Sequence, residues 1–492
     1  MDTDVLVVGA GPTGLMLTHE LRVAGVSAVV VDRLPERSEL SRAGGVHPRT
    51  MEVLDQRGLL EPLLATGDYP VSPGHFAGRL FDPADHDSRL PGRFIPQTVV
   101  EDFLTDRLAG HGVGVRRAHE LVGLAADEDG VTATLRHGST TRTVRSAFLV
   151  AADGAHSTVR RLLGIAFPGR PGTDTALVAD VRLRDTRPSR PAAAGQSHTT
   201  AADGSWAMQF PLGGDLRRLA LGGPAHSLPR EIPVTEEEIR AGLRTVYGPG
   251  VDLVEQRYTY RITNAARQVA DYRHGRVFLA GDAAHIHLPI GGLGMNTGLQ
   301  DAVNLGWKLA AAVHGWAPQG LLDSYQSERH PVAAGVLRIV QAQSLLMDWA
   351  GTGGPDVAAT RELFDTLLQL PDTRRHLAAR MAGLDIRYPM PGAPGHPLLG
   401  RRAPDLDLTG AQGPVRLHAL LRAGRGLLLD PSGGSDLAAV ARGWKDRVDR
   451  VPTSTATDAL LIRPDGHVCW AAARPYPSEP LAGALRRWFG EG

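Results

Sequence analysis

The stretch Asp4-Val-Leu-Val-Val8-Gly9-Ala10-Gly11-Pro12-Thr13-Gly14 decides the fold of this chain. Its first five residues are almost continuously apolar, the pattern of a strand buried on both faces. LMLTHELRVAG (15–25) follows with apolar residues at helical spacing. Strand, glycine turn and helix in this order predict a dinucleotide site. Gly9 permits the tight turn, Gly11 lets a pyrophosphate approach the backbone, and Gly14 lets helix and strand pack closely. Pro12 and Thr13 open the helix, whose unpaired N–H groups and partial positive charge favour phosphate. A second apolar run, 27–31, ends at Asp32, where a ribose-binding carboxylate is wanted. The turn alone does not choose between FAD and NAD. Asp32 argues for a free ribose 2′-hydroxyl, while its neighbour Arg33 keeps NADP in view.

With 492 residues the chain is too long for one hydrophobic core, so two or three domains are expected. Lys plus Arg and Asp plus Glu both number 53, a balance without the basic footprint of a nucleic-acid or anionic-membrane partner. The single cysteine, Cys469, excludes an intramolecular disulfide and a Cys-based metal cluster, and is expected as a buried apolar side chain. No metal site is expected. The start, Met1-Asp-Thr-Asp, lacks the basic region of a signal peptide, and no apolar run reaches the ~18 residues of a membrane span. The expected compartment is the cytoplasm.

Two distant segments narrow the choice of dinucleotide. Phe148-Leu-Val-Ala-Ala-Asp153-Gly154-Ala-His-Ser157-Thr-Val-Arg160 reads as strand, sharp turn and a helix capped by Ser157. Gly281-Asp282-Ala-Ala-His285 is followed by Pro289-Ile-Gly291-Gly292-Leu293-Gly294-Met295-Asn296 and a long helical pattern. The order GxGxxG, Asp-Gly, Gly-Asp resembles the group A flavoprotein monooxygenases, the para-hydroxybenzoate hydroxylase fold, over roughly the first 390 residues. The resemblance implies FAD, with Asp282 at its ribityl or ribose hydroxyls. It implies that Pro289 and Gly292, Leu293, Gly294, Met295 and Asn296 lie against the isoalloxazine ring. A glycine-dense turn lets backbone amides reach a planar ring, and the helix behind it stabilises charge on reduced flavin. It further implies cofactor contacts for Arg42 (SRAGGVHPRT) and Gln97 (IPQTVVEDFL), and that Asp153, with Arg160, helps hold FAD and the nicotinamide donor.

MEVLDQRG (51–58), HIHLPIGGLGMNTGLQDAVNLGWKLAAAV (285–313), LLDSYQSERHPVA (321–333) and RPDGHVCW (463–470) are similar to actinomycete aromatic-polyketide hydroxylases of the angucycline and tetracycline type, and to rifampicin monooxygenases. Many of those relatives carry Gln between the glycines where this chain has Leu293.

The expected class is α/β: a Rossmann-like FAD-binding domain, a β-sheet substrate domain and a thioredoxin-like C-terminal domain. The FAD-binding part is expected at 1–168 plus 273–390. Short alternating stretches such as LVADVRLRD predict a middle sheet at 169–272, covering the flavin, with an exposed loop at 186–198. A Pro/Gly-rich linker (389–406) leads to the C-terminal unit, 393–492. By resemblance this unit is thioredoxin-like, but without a CxxC pair it cannot do dithiol chemistry. Structural support or a homodimer contact is its expected role.

The implied reaction is insertion of one oxygen atom from O2 into a polycyclic aromatic substrate of polyketide type, through a flavin C4a-hydroperoxide, with NADPH or NADH as a transient reductant. No second GxGxxG is present, which argues against a glutathione-reductase-like enzyme. Phe210-Pro-Leu212 and Leu288-Pro-Ile290 are expected to keep the pocket dry. No catalytic residue is assigned; His47, His285 and His287 lie near cofactor segments, and a structural role is the expectation for each. Baeyer–Villiger oxygenation, a flavoprotein reductase or dehydrogenase, and a non-enzymatic flavin-binding scaffold stand as alternatives. A flavin halogenase is disfavoured because no WxWxIP segment is present.

Overall fold

The apolar run Thr3–Val8 becomes the central strand of a seven-stranded sheet. In the computed structural model, which describes residues 1–186, 197–390, 395–410, 413–432, 435–474 and 476–492, this strand pairs in parallel with Ala28–Val31 on one side and Thr140–Ala151 on the other. Val5 sits opposite both Ala28 and Phe148. Val277–Leu279 extends the parallel set beyond Thr140–Ala151. Val5, Leu6 and Val7 have no exposed surface, as a strand covered on both faces requires. The helix Pro12–Val23 leaves the end of the first strand and packs against the long helix Leu293–Val313. This doubly covered sheet is the mixed α/β, Rossmann-like architecture expected for an FAD-binding domain.

A second sheet is wholly antiparallel and runs in the order Ser197–Thr200, Trp206–Gly213, Leu216–Gly222, Thr175–Asp185, Val251–Thr263. Alternation gives it two different faces. Leu177, Ala179, Val181, Leu219 and Leu221 point to Ile239 and Leu243 of the amphipathic helix Glu236–Tyr247. Ala176, Val178, Met208 and Ala220 point the other way, toward Leu288, Ile290 and Leu293. The loop expected at 186–198 lies mostly outside the described residues, as do 391–394 of the expected linker.

The C-terminal unit is a four-stranded sheet ordered Val448–Pro452, Gly426–Asp430, Ala459–Ile462, Val468–Ala472, with one parallel and two antiparallel pairings. Cys469 is buried there. The tight turn between the last two strands carries Arg463 and Asp465, both without meaningful exposure, into the main body. Arg463 grips Glu328 with both Nη atoms, at 2.5 and 2.9 Å, and Arg57 reaches the Pro464 carbonyl at 2.7 Å. No helix among the described residues is long and apolar enough to cross a membrane.

Candidate functional site

The glycine turn is shaped by contact with the Asp-Gly segment. Gly9 adopts φ +105°, and a Cβ there would stand 2.3 Å from the Ala152 carbonyl oxygen, so no other residue fits. At Gly11 the nearest atom to such a Cβ is 3.9 Å away, which leaves this part of the turn open. No side chain caps the following helix, so its first N–H groups are unsatisfied by the protein where Gly11, Pro12 and Thr13 meet a cavity of about 710 Å3.

That cavity runs on past Arg42–Gly45, His47, Gln97, Gly154 and Asp282 to Pro289–Gly292, Gly294 and Met295. It ends against the antiparallel sheet at Val178, Met208, Phe210–Leu212, Arg218, Ala220 and Tyr260, with Trp349 closing one side. Residues far apart in sequence are joined along it. The Arg42 backbone N–H donates to Gln97 Oε1 at 3.2 Å, and Gln97 Nε2 donates to Glu101 at 2.9 Å. Asp282 is exposed to the cavity, with no hydrogen-bond partner for its carboxylate among the described residues.

Other residues singled out by sequence stand behind the wall. Asp32 does not line the cavity: its carboxylate accepts the Ala10 and Leu34 N–H groups, each at 2.9 Å. Arg33 is exposed beside it. Gly14 is enclosed under the Gly9 carbonyl. Asp153 turns inward and caps a helix, accepting from Thr158 at 2.7 Å, while its second oxygen has no partner; burial pushes its carboxyl up. Ser157 caps the same helix through the Arg160 N–H, and Arg160 ties the two turn motifs by donating to Ala283 O at 2.8 Å. Asn296 is a buried clamp: Oδ1 accepts the His47 N–H at 2.9 Å, and Nδ2 donates to the Gly45 and Gly292 carbonyls. Leu293 points into the apolar cluster of Met208, Ile290 and Trp349.

The three histidines separate. His285 lies off the cavity, with Nε2 on Asp301 at 2.9 Å. Asp301 also accepts the Gly281 N–H and Arg329 Nε, so one carboxylate braces the Gly-Asp turn from the long helix. Burial opposes ionisation of Asp301, yet Arg329 and His285 together hold its carboxyl below the ordinary range. His47 lines the cavity, and burial lowers it to about 4 despite backbone acceptors at Met381 and Gly291. His287 also lines it; Nδ1 meets the Leu288 carbonyl at 2.7 Å, which only accepts, so the proton sits on Nδ1. Burial lowers its pKa.

Arg218, Tyr260 and Trp349 had no motif to mark them. Alternation in 205–214 and 177–185 predicts a sheet, and only the pairing of its strands brings these side chains to one wall. Asp55, Asp405 and His418 also converge, but Arg416 binds both carboxylates, so the group is an ion-pair cluster.

The open helix N-terminus, the unpaired Asp282 carboxylate and the exposed backbone of Pro289–Gly292 fit a flavin dinucleotide laid along the cavity. Comparison with known proteins agrees. Residues 2–340 match the family model for an FAD binding domain, and 396–492 match that for the C-terminal part of aromatic-ring hydroxylases. The chain is 44% identical to the 12-dehydrotetracycline 5-monooxygenase/anhydrotetracycline 6-monooxygenase of Streptomyces rimosus subsp. rimosus, over 100% of this chain and 99% of that one. It is 40% identical to rifampicin monooxygenase of Streptomyces venezuelae, over 99% and 98% of the two chains. The solved structure of an anhydrotetracycline hydroxylase from Streptomyces rimosus superposes with a TM-score of 0.90 at 44% identity, covering 100% of this chain and 99% of that one.

Proposed function

The chain belongs to the FAD-binding family of aromatic-ring hydroxylases and is an FAD-dependent enzyme, and from that membership we propose that it uses NADPH or NADH to place one oxygen atom from O2 on a polycyclic aromatic substrate of polyketide type. The observation that carries this reading is the continuity of the cavity, which joins the phosphate-type turn at Gly11–Thr13, the Pro289–Met295 turn and an apolar sheet wall. Such a cavity suits a cofactor and a flat apolar substrate in contact.

Gly9, Gly11, Pro12, Thr13 and Gly14 would hold the pyrophosphate, with Asp32 and Arg33 on the ribose side. Arg42, Gln97 and Asp282 would hold the chain between phosphates and ring, and Asp153 would brace the turn that meets Gly9. Pro289, Gly292, Leu293, Gly294, Met295 and Asn296 would form the ring cradle, Leu293 and Asn296 from behind. When bound, FAD accepts reducing equivalents from the nicotinamide and activates O2 for transfer. The chain supplies placement and dryness. Phe210, Pro211, Leu212 and Ile290 present carbon to the substrate side, which strengthens every polar contact made there. The long helix Leu293–Val313 directs its N-terminal N–H groups toward the ring cradle, where they favour negative charge. His47 and His287, their pKa values lowered by burial, add no positive charge of their own to the ring cradle. The cytoplasm is the proposed compartment, where reduced nicotinamide is at hand.

The test is FAD-loaded protein with NADPH or NADH, labelled O2 and a panel of polycyclic phenols and quinones, read by mass spectrometry. Gain of one labelled oxygen is expected, and the product skeleton separates hydroxylation from ring expansion. Substrate-stimulated nicotinamide oxidation without label in any product would make the enzyme a reductase.

A further inference from the structure

The cavity-facing side of the antiparallel sheet is carbon except at one place. In the paired register, Phe210, Arg218 and Asp180 form one cross-strand row, and Met208, Ala220, Val178 and Tyr260 form the next. Alternation aims both rows at the same face, opposite the one covered by the helix Glu236–Tyr247. Arg218 is the sole charged residue that this sheet contributes to the cavity wall among the described residues.

The ion pair inside that row is incomplete by design of its geometry. Asp180 receives Arg218 Nε at 2.8 Å and Nη2 at 3.0 Å, both on one edge of the guanidinium. Both side chains are nearly buried, at 11% and 7% exposure, so the pair is fixed rather than a solvated surface contact. Nη1, on the far edge, has no acceptor among the described residues, although Arg218 lines the cavity. The Tyr260 hydroxyl, in the adjoining row and also on the cavity, has no partner there either. Burial raises the Tyr260 pKa, with Arg218 and Arg42 pulling it down, so the phenol stays protonated and remains a donor at neutral pH. This wall therefore offers donors without acceptors. Neither atom is sealed away from the cavity, so a ligand oxygen placed there can accept from both.

We propose that Arg218 Nη1 and the Tyr260 hydroxyl are the specificity-determining oxygen anchor of the pocket, taking a conjugated carbonyl or enolate oxygen of a polycyclic quinone-type substrate, while Asp180 is the positioning residue that orients the guanidinium. The anchor rests on the monooxygenase reading for its substrate class and deepens it: the substrate carries an electron-rich carbonyl oxygen, not hydroxyl groups alone. Planar Arg held on one edge by a carboxylate presents its other edge in a fixed direction, which Lys cannot reproduce.

Binding is measured by perturbation of the flavin absorbance of FAD-loaded protein, which needs no turnover. The probes are a hydroxyanthraquinone and the hydroxyanthracene of the same ring skeleton, which lacks the quinone carbonyls. Wild type is expected to prefer the quinone. Arg218→Met alone strands Asp180, so Arg218→Met is combined with Asp180→Asn, and Tyr260→Phe is made separately as the conservative variant. The double variant is expected to weaken the quinone by about 10- to 100-fold, the range for a hydrogen bond to a charged donor, and to leave the anthracene within about threefold. Tyr260→Phe should weaken the quinone by about threefold to tenfold, with KM rising more than kcat falls. If the double variant does not retain FAD, Tyr260→Phe decides. The anchor is overturned if wild type does not prefer the quinone, or if FAD-loaded variants bind both probes as wild type does. Failure to incorporate labelled oxygen with quinone selectivity intact sinks the monooxygenase reading and leaves the anchor standing.

Discussion

Leu293 stands between Gly292 and Gly294 of the ring turn, and its surroundings suit an apolar side chain. The side chain is 5% exposed and packs in the cluster of Met208, Ile290, Trp349 and Met381. An amide placed there would lack a partner, so Leu293→Gln is expected to cost about 1–3 kcal/mol, seen as a lower denaturation midpoint of FAD-loaded protein. An unchanged midpoint would mean that the glutamine finds an acceptor in this cradle. The case also marks a limit of motif reading. Position 293 is legible as part of the ring turn, but whether its side chain faces the cavity or the core depends on the turn geometry at Gly291 and Gly292, both at positive φ.

At the scale of elements, the cradle depends on one clamp between segments some 250 residues apart. Asn296 holds the strand at Gly45 and the entry of the helix Pro48–Asp55 to the turn at Gly292, using three hydrogen bonds of 2.8–2.9 Å. Asn296→Ala should lower stability by about 1–3 kcal/mol and weaken FAD binding about tenfold or more, as read by fluorescence titration. Retained FAD affinity at lowered stability would confine Asn296 to a structural role. Its type was readable from the turn motif, but its three partners were not. Arg42 and Gln97 teach the same lesson, since each was marked by its own local segment and only the fold joins them.

The C-terminal unit joins the main body through an apolar cluster around Trp307, Trp488 and Phe489 and through buried charge. The turn Arg463–His467 of the C-terminal unit enters the main body, where Glu328 accepts from Arg463, Lys308 and Asn304. Burial lowers Lys308 to about 8, with Glu328 pulling it back up. Asp465 accepts from Asn304, and Arg329 binds Asp301, Thr297 and Tyr388; the Arg463 guanidinium lies 5.4 Å from the Tyr388 ring centroid, which brings this cluster up to the brace of the Gly-Asp turn. Arg463→Ala leaves two carboxylates short of a partner and is expected to cost about 3–5 kcal/mol. Heating the variant should release FAD and unfold the chain in one transition. Separate transitions would show that the C-terminal unit is only an appendage.

Acid sensitivity belongs to the same scale. Burial holds His47, His75, His198 and His467 near 4 and His19 near 3, against an ordinary 6.5. The folded state therefore binds fewer of these protons than the unfolded chain between pH 6.5 and 4. Stability is full above 6.5 and falls progressively as pH drops through that window. Thermal unfolding at pH 7, 6 and 5 should show a steep fall, and a flat profile would mean that these imidazoles find acid-stable partners.

The sequence by itself determined the nucleotide end of this protein. Strand, glycine turn and helix follow one another without a break, so the motif is written in contiguous residues, although Gly14 alone is pressed by a local neighbour, the Gly9 carbonyl, and Gly9 is pressed by Ala152 of the Asp-Gly segment. The Asp-Gly and Gly-Asp turns are local for the same reason. Tertiary structure alone decided that Asp153 turns inward, that Asn296 is a clamp, and that Arg218 shares a row with Asp180 on the cavity wall. Those outcomes depend on strand register and on where distant helices come to rest. Neither is encoded in any short window, because the partners meet only after the intervening chain has folded.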